Sequence, residues 1–316
     1  MGDSKRVMRG RTADVDAGSD HERFRGFLIG DGLKHLESLL KAQSERYQKR
    51  LKRCQENVSE QAVHKSRMET RRLLSILEVL DAILGDHLIK KAHRALKRHL
   101  NTFDELRDTQ VQLLYVGKML SLGSVARRFQ IGLLKREKKQ TASTRKRIKR
   151  VKTKLVRKSI TRAREALIKE HGRLTSKQVG VVLLRTLNRA FTRVERLKTR
   201  IDPAEAATIH RTRVAFKMFR YMVEALAPLL PGATKSRLAA LHDYQTVMGD
   251  IQDLDVLSAA FETFLQEHEF TGESAFQIRD ELARRRQWSM RHFVDTAETL
   301  HEFKLLLGSG PVRQGR

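Results

Sequence analysis

The sequence predicts an all-α protein of two pseudo-symmetric four-helix bundles with a basic helical insert between them. Three observations lead there. Apolar residues recur at three- and four-residue spacing, and no alternating apolar run is long enough for a strand. Proline, which interrupts helices, occurs only four times in 316 residues. One stretch also occurs twice: VHKSRMETRRLLSILEVL from Val63 to Leu80 and IHRTRVAFKMFRYMVEAL from Ile209 to Leu226. His64 then matches His210, Arg67 matches Arg213, Arg71 matches Lys217 and Glu78 matches Glu224, all at an offset of 146 (64 to 210). Downstream, FDELRDTQVQL from Phe103 and MGDIQDLDVLS from Met248 align Asp108 with Asp253 and Val111 with Val256, at an offset of 145 (108 to 253).

Taken in order, residues 1–20 hold four cations and four acids with few large apolar residues, which predicts a disordered tail. Phe24, Phe27, Leu28, Leu33, Leu36, Leu39 and Leu40 are spaced as a helix from about His21 to Cys54, with Asp20 as N-cap. Gly30 and Gly32 weaken its first half. Ser59 caps the first motif helix, which stops near Gly85. Further helices follow over His87–Leu100 and about Phe103–Leu122, completing a first half of about 21–122.

Residues 124–170 form the insert. Between Lys135 and Arg164 lie fifteen Lys or Arg and one acid, Glu137. Ile148, Val151, Leu155, Ile160, Ala163 and Leu167 keep helical spacing, so the run reads as a helix docked by a narrow stripe. A flexible basic linker is the alternative for 135–147. Like charges at i, i+4 repel, so a bound polyanion is expected to order the segment.

The second half, about 172–307, opens near Thr175 with Val179, Val182, Leu183, Leu187, Phe191, Val194 and Leu197 on one face. Asp202-Pro203-Ala204-Glu205 reads as N-cap, Pro at N1 and Glu at N3 of the second motif helix. That helix ends at the Pro228 and Pro231-Gly232 turn. Two helices, 234–247 and 250–268, separate near Gly249. A last helix runs from Glu273 to Leu307, with Phe276, Leu282, Phe293, Ala297 and Leu300 as core, before a loose tail at 308–316.

Positions i, i+3, i+7 and i+14 fall together on a helix. His64, Arg67, Arg71 and Glu78 therefore form one polar stripe, and His210, Arg213, Lys217 and Glu224 its twin. Leu73, Ile76, Leu77, Leu80 and Leu84 back the first; Ile209, Phe216, Phe219, Val223 and Leu226 back the second. A merely solvated face is the plainer reading, but gives no reason for the pattern to repeat.

The formal net charge is +27, which a polyanionic partner would offset: polyphosphate, nucleic acid or an anionic membrane surface. Aromatic residues are 6% of the chain, few for stacking platforms on single strands. One cysteine, Cys54, excludes an intrachain disulfide and suits a reducing compartment. No run approaches the roughly 18 apolar residues of a membrane span, and no signal-peptide core is seen.

These features resemble the CHAD family, an α-helical domain named for its characteristic histidines. The resemblance rests on His64-Lys-Ser-Arg67-Met-Glu-Thr-Arg71-Arg72, on His210-Arg-Thr-Arg213-Val-Ala-Phe-Lys217-Met-Phe-Arg220-Tyr221 with Glu224, and on the LRD and QDLDVL segments. It covers about residues 20–305, within an expected domain of 21–307. The first copy departs at Leu74, where the family often carries a further Arg. The resemblance implies two helical bundles and inorganic polyphosphate bound in a basic groove between them. Many relatives carry a CYTH triphosphatase domain; no ExExK run is found here, so a stand-alone domain is expected.

The chemistry follows the same line. Arg does not ligate metals, and Asp253-Leu-Asp255 matches Asp108-Thr-Gln110, so a metal role would not repeat. Asp108 and Asp253 read instead as helix caps or partners of a motif Arg. No P-loop, serine-nucleophile motif or HExxH occurs, so no catalytic residue and no cofactor are expected. Phosphate binding needs only aligned cations. His210, Arg213, Lys217 and Arg220 extend over about 15 Å of helix, a shape for a linear polyanion. Expected contacts are His64, Arg67, Arg71, Arg72, His210, Arg213, Lys217 and Arg220, with Lys65 and Arg211 secondary at about 100° off the stripe. The histidines have a second reading, buried and bonded to backbone or Asp. The expectation is a cytoplasmic, non-enzymatic polyphosphate binder, possible on polyphosphate granules; general nucleic-acid binding and a protein scaffold are the alternatives.

Overall fold

The computed structural model describes residues 31–296 together with 300, 303 and 304. The expected tails, the Asp20 cap, residues 21–30 and Ala297 lie outside them. Ten α-helices are described: α1 (Gly32–Glu56), α2 (Glu60–Leu84), α3 (His87–Asn101), α4 (Asp104–Gly117), α5 (Ser124–Lys149), α6 (Lys154–Glu170), α7 (Ser176–Lys198), α8 (Ala206–Leu226), α9 (Lys235–Glu267) and α10 (Glu273–Asp295). The motif helices are α2 and α8.

Local chemistry sets most of these boundaries. Asp31 accepts from the Leu33 and Lys34 amides at the head of α1. Ser59 accepts from Ala62 at the head of α2, and Gly85, at φ 59°, takes the left-handed turn that closes it. Thr175 and Gln178 make a reciprocal capping box on α7. Asp202 behaves otherwise than the sequence predicts. Its carboxylate accepts from Ala204 N in a turn, Thr208 Oγ1 bonds back to the Asp202 carbonyl, and α8 starts only at Ala206. A short turn stabilised by Thr208 outcompetes the longer helix.

Two apolar cores result. The larger joins α1, α2, α3, α6, α7 and α8 with the first part of α9, around Leu36, Leu77, Phe216 and Met248. Its densest region is aromatic: Phe216 lies against Phe219, Tyr244 and Phe303. The smaller joins α4, the start of α5, the second part of α9 and the start of α10, around Phe129, Leu257, Phe261 and Leu282. The basic segment belongs to both. α6 packs on α1 and α3 through Val156, Ile160, Ala163 and Leu167, while α5 leaves the smaller core at Leu133 and reaches the larger at Ile148. Residues 135–147 are helical, so the linker alternative is overturned, and Arg150–Thr153 break the run into two helices. Leu155, expected in the stripe, is exposed.

Two further expectations change. α9 is one continuous helix through Gly249, with Met248 and Ile251 on either side of the glycine both fully buried. Phe276 is 63% exposed rather than core; Ala275 and Ile278 take the buried positions of α10. The continuation towards Leu307 falls largely beyond the described residues, of which Leu300 and Phe303 are buried.

Candidate functional site

α2 packs against α8, and this contact turns the two polar stripes towards each other. Behind each, the expected apolar face is in place: Leu73, Ile76, Leu77 and Leu80 on α2, and Ile209, Phe216, Phe219, Val223 and Leu226 on α8, are all buried. Leu84, at the end of α2, is only partly buried.

Between the stripes lies a cavity of about 450 Å³. His64, Arg67, Arg71 and Arg72 line it from α2, Arg213, Lys217 and Arg220 from α8. A second cavity of similar size shares Arg67, Arg71, Arg213 and Asp253 with it and adds His210. A third, of about 280 Å³, shares Arg72, Tyr221 and Glu224 and adds Arg46 of α1. Joined by shared walls, the three make one trench. Lys65 and Arg211 line none of these cavities; Arg211 sits 3.9 Å from Glu205 instead.

A model of the CHAD domain matches residues 38–262, most of the chain. The chain belongs to the CHAD domain family. Its fold is similar to that of the CHAD domain from the plant Ricinus communis, with a TM-score of 0.61 at 16% identity over 93% of this chain and 98% of that one. It is also similar to PptA from Streptomyces chartreusis, with a TM-score of 0.56 at 15% identity over 84% of this chain and 99% of that one. No curated protein matches the sequence.

Within this CHAD domain the cations are not equivalent. Some are committed to the protein. Arg67 donates to Asp104 Oδ1 at 2.6 Å and to the Leu100 carbonyl at 3.2 Å, tying α2 to the end of α3 and the start of α4. Arg220 is buried, donates to Gln245 at 2.8 Å and to Glu224, and stacks its guanidinium 4.5 Å from the Tyr221 ring centre. Arg72 donates to Glu69, whose other oxygen accepts from Gln43.

Others are not committed. Neither Arg71 nor Lys217 has a carboxylate within ion-pair distance among the described residues. Burial, with Arg67 and Arg213 nearby, pushes Arg71 down to about 10. Burial, then Arg213 and Arg71, hold the Lys217 ammonium well below the ordinary lysine value. Arg213 reaches Asp253 only at 3.7 Å, and its buried Nε has no hydrogen-bond partner. Around the first cavity, seven Lys or Arg face three carboxylates. Two of these, Asp108 and Asp253, are raised in pKa by burial.

The histidines differ as well. His64 is exposed at the rim, and burial of its ring, then Arg107 and Arg71, lower its pKa. His210 Nδ1 lies 3.0 Å from Gln252 Oε1. Neither follows the buried, Asp-bonded reading. Asp253 does pair with Arg213, but Arg67 takes Asp104 rather than Asp108. No group of three or more His, Cys, Asp or Glu suited to a metal occurs among the described residues.

Three basic lining residues escaped the sequence reading: Arg46 of α1, Arg107 and His242. Arg107 of α4 lies beside Asp108 inside the LRD segment, so the signal was adjacent and unused. His242 of α9 approaches Arg220 Nη1 at 3.4 Å and carries no local signal. Chemically, the trench offers dense donors, some unneutralised, along a line: an arrangement that holds oxyanions.

Proposed function

We propose that the trench binds inorganic polyphosphate without turning it over. The observation that carries this reading is the unbalanced set at its centre. Arg71 and Lys217 face one cavity, largely out of water and without a carboxylate at ion-pair distance, beside the buried Arg213 Nε, which has no hydrogen-bond partner. Burying like charges side by side costs free energy unless an anion enters among them. The polar cavity wall and its linear extension suit a chain of phosphates better than a single compact ion. Membership of the CHAD family supports the same ligand, as the family's residue pattern implies. Within this reading, His64 and His210 flank the chain, Arg71, Arg213 and Lys217 grip it, and Arg67 and Arg220 shape the walls. A cytoplasmic protein that settles on polyphosphate granules is the corresponding cellular role.

Titration calorimetry with long-chain polyphosphate tests the proposal. Saturable binding that weakens steeply with salt is expected, since each contact releases condensed counterions. Binding that is unchanged in the R213A/K217A double variant would remove the trench from the interaction.

A further inference from the structure

A second dense group of cations lies away from the trench. Lys135, Arg136, Lys138, Lys139, Arg145 and Lys146 of α5 are all exposed, and among the described residues none has a carboxylate partner. None lines the cavities between α2 and α8. Like charges three and four residues apart destabilise a helix, and the fold recovers nothing from these. Neighbouring cations that do serve the fold are paired: Arg147 with Glu105, Arg162 with Asp86 and Arg164 with Glu37.

The helix that carries them stands off the body. Leu133 is buried in the smaller core and Thr144 and Ile148 are buried further on, but no residue from 134 to 143 is. That stretch is about 15 Å long at 1.5 Å per residue. Its inner side is marked by Glu137, which accepts from Gln110, and by Gln140, whose Oε1 is buried. At about 100° per residue, the six cations spread over roughly half the circumference, on the crest and both flanks.

We propose that the outer face of α5 is a second polyanion site, one that takes the phosphate backbone of double-stranded nucleic acid on either side of its major groove. A helix with its side chains is about 10–12 Å across and the major groove of B-form DNA about 12 Å wide. Cations on both flanks then meet both strands. No Phe, Tyr or Trp occurs between Phe129 and Phe191, so the segment has no platform for unstacked bases. Contacts made to phosphates on the two strands carry no sequence information, so binding through them is indifferent to sequence.

The full chain tests this with a short mixed-sequence DNA duplex, by fluorescence anisotropy at several salt concentrations, beside a variant with all six cations changed to Ala. Alanine favours helix, so the fold is expected to survive, and circular dichroism checks it. The wild type is expected to bind, and the variant to lose about 100-fold in affinity at about 0.1 M salt, with a log–log salt slope smaller by about four or five. Its polyphosphate affinity is expected to stay within about twofold, and R213A/K217A to leave the duplex bound. No duplex binding by the wild type overturns the proposal, as does equal binding by the six-Ala variant. A parallel loss of polyphosphate binding in that variant also overturns it, because the ridge would then belong to the trench's ligand.

Discussion

α2 and α8 carry the same spaced cations and use them differently. Arg67 of α2 is buried against Asp104 and the Leu100 carbonyl. Arg213, its counterpart on α8, faces Asp253 at 3.7 Å and keeps a buried Nε without a partner. The difference lies in what stands opposite. At the position of Asp104, the downstream alignment (104 to 249) puts Gly249, and a Cβ built there would meet Arg213 Nη2 at 3.6 Å. Arg67 has a carboxylate at 2.6 Å from this position, whereas Arg213 meets a glycine there and reaches only Asp253, at 3.7 Å. The outer ends differ in the opposite sense. Leu74 of α2 is core, while Arg220, matched to it, is held by Glu224 and Gln245. A repeated motif therefore does not imply repeated duty: Arg67 is tied tightly into the structure, while its counterpart Arg213 is held only loosely.

The comparison breaks first at α8. Changing Arg213 and Lys217 together to Ala is expected to weaken polyphosphate binding by at least about 100-fold, since two charge-assisted contacts contribute about 1.5–3 kcal/mol each. Calorimetry reads the affinity, and a helical circular-dichroism signal equal to wild type separates ligand contact from structural failure. Gly249→Asp installs the carboxylate that α2 already has. A van der Waals contact at 3.6 Å leaves room for it, so Arg213 is expected to pair and polyphosphate affinity to fall about tenfold. An unchanged affinity would show that carboxylate placement does not separate the two helices.

Arg67→Ala is expected to act on stability instead, with affinity little changed. Asp104 is about half exposed, so its loss of a partner is partly screened, and the cost is about 1–2 kcal/mol. Chemical denaturation measures it; a loss of affinity larger than the loss of stability would put Arg67 in the ligand site.

The smallest effect is the pH response. Burial and the neighbouring cations lower the pKa values of both His64 and Lys217. Phosphates favour their charged forms and raise both. Binding then takes up protons, so affinity strengthens as pH falls through the titration of these groups. Titration in buffers of different ionisation enthalpy counts those protons. H64Q is expected to flatten the profile between about pH 5.5 and 8 by a few-fold. A wild-type profile already flat there would count against contact by His64.

Much of the fold was legible because its signals are local. Ser59 and Gly85 bound α2 as their residue types require, and Thr175 with Gln178 opens α7. The failures came where packing outweighed local preference. Gly249 looks like a break, yet buried neighbours carry α9 through it. Phe276 looks like core and points to solvent. In the site, the eight primary cations and histidines were visible from spacing and all reach the trench. Arg46, Arg107 and His242 were not, because they enter from α1, α4 and α9, whose own patterns say nothing about what they face.

An all-helical chain with a cationic edge on each motif helix is determined by the sequence alone, since helical periodicity depends on neighbours within a few residues. That those edges meet across one trench, that α5 bridges two cores with its cations outward, and that Asp104 silences one arginine while Gly249 spares another, only the tertiary structure decided. Such outcomes depend on distances between groups far apart along the chain, where a difference of about 1 Å separates a tight charge pair from a loose one.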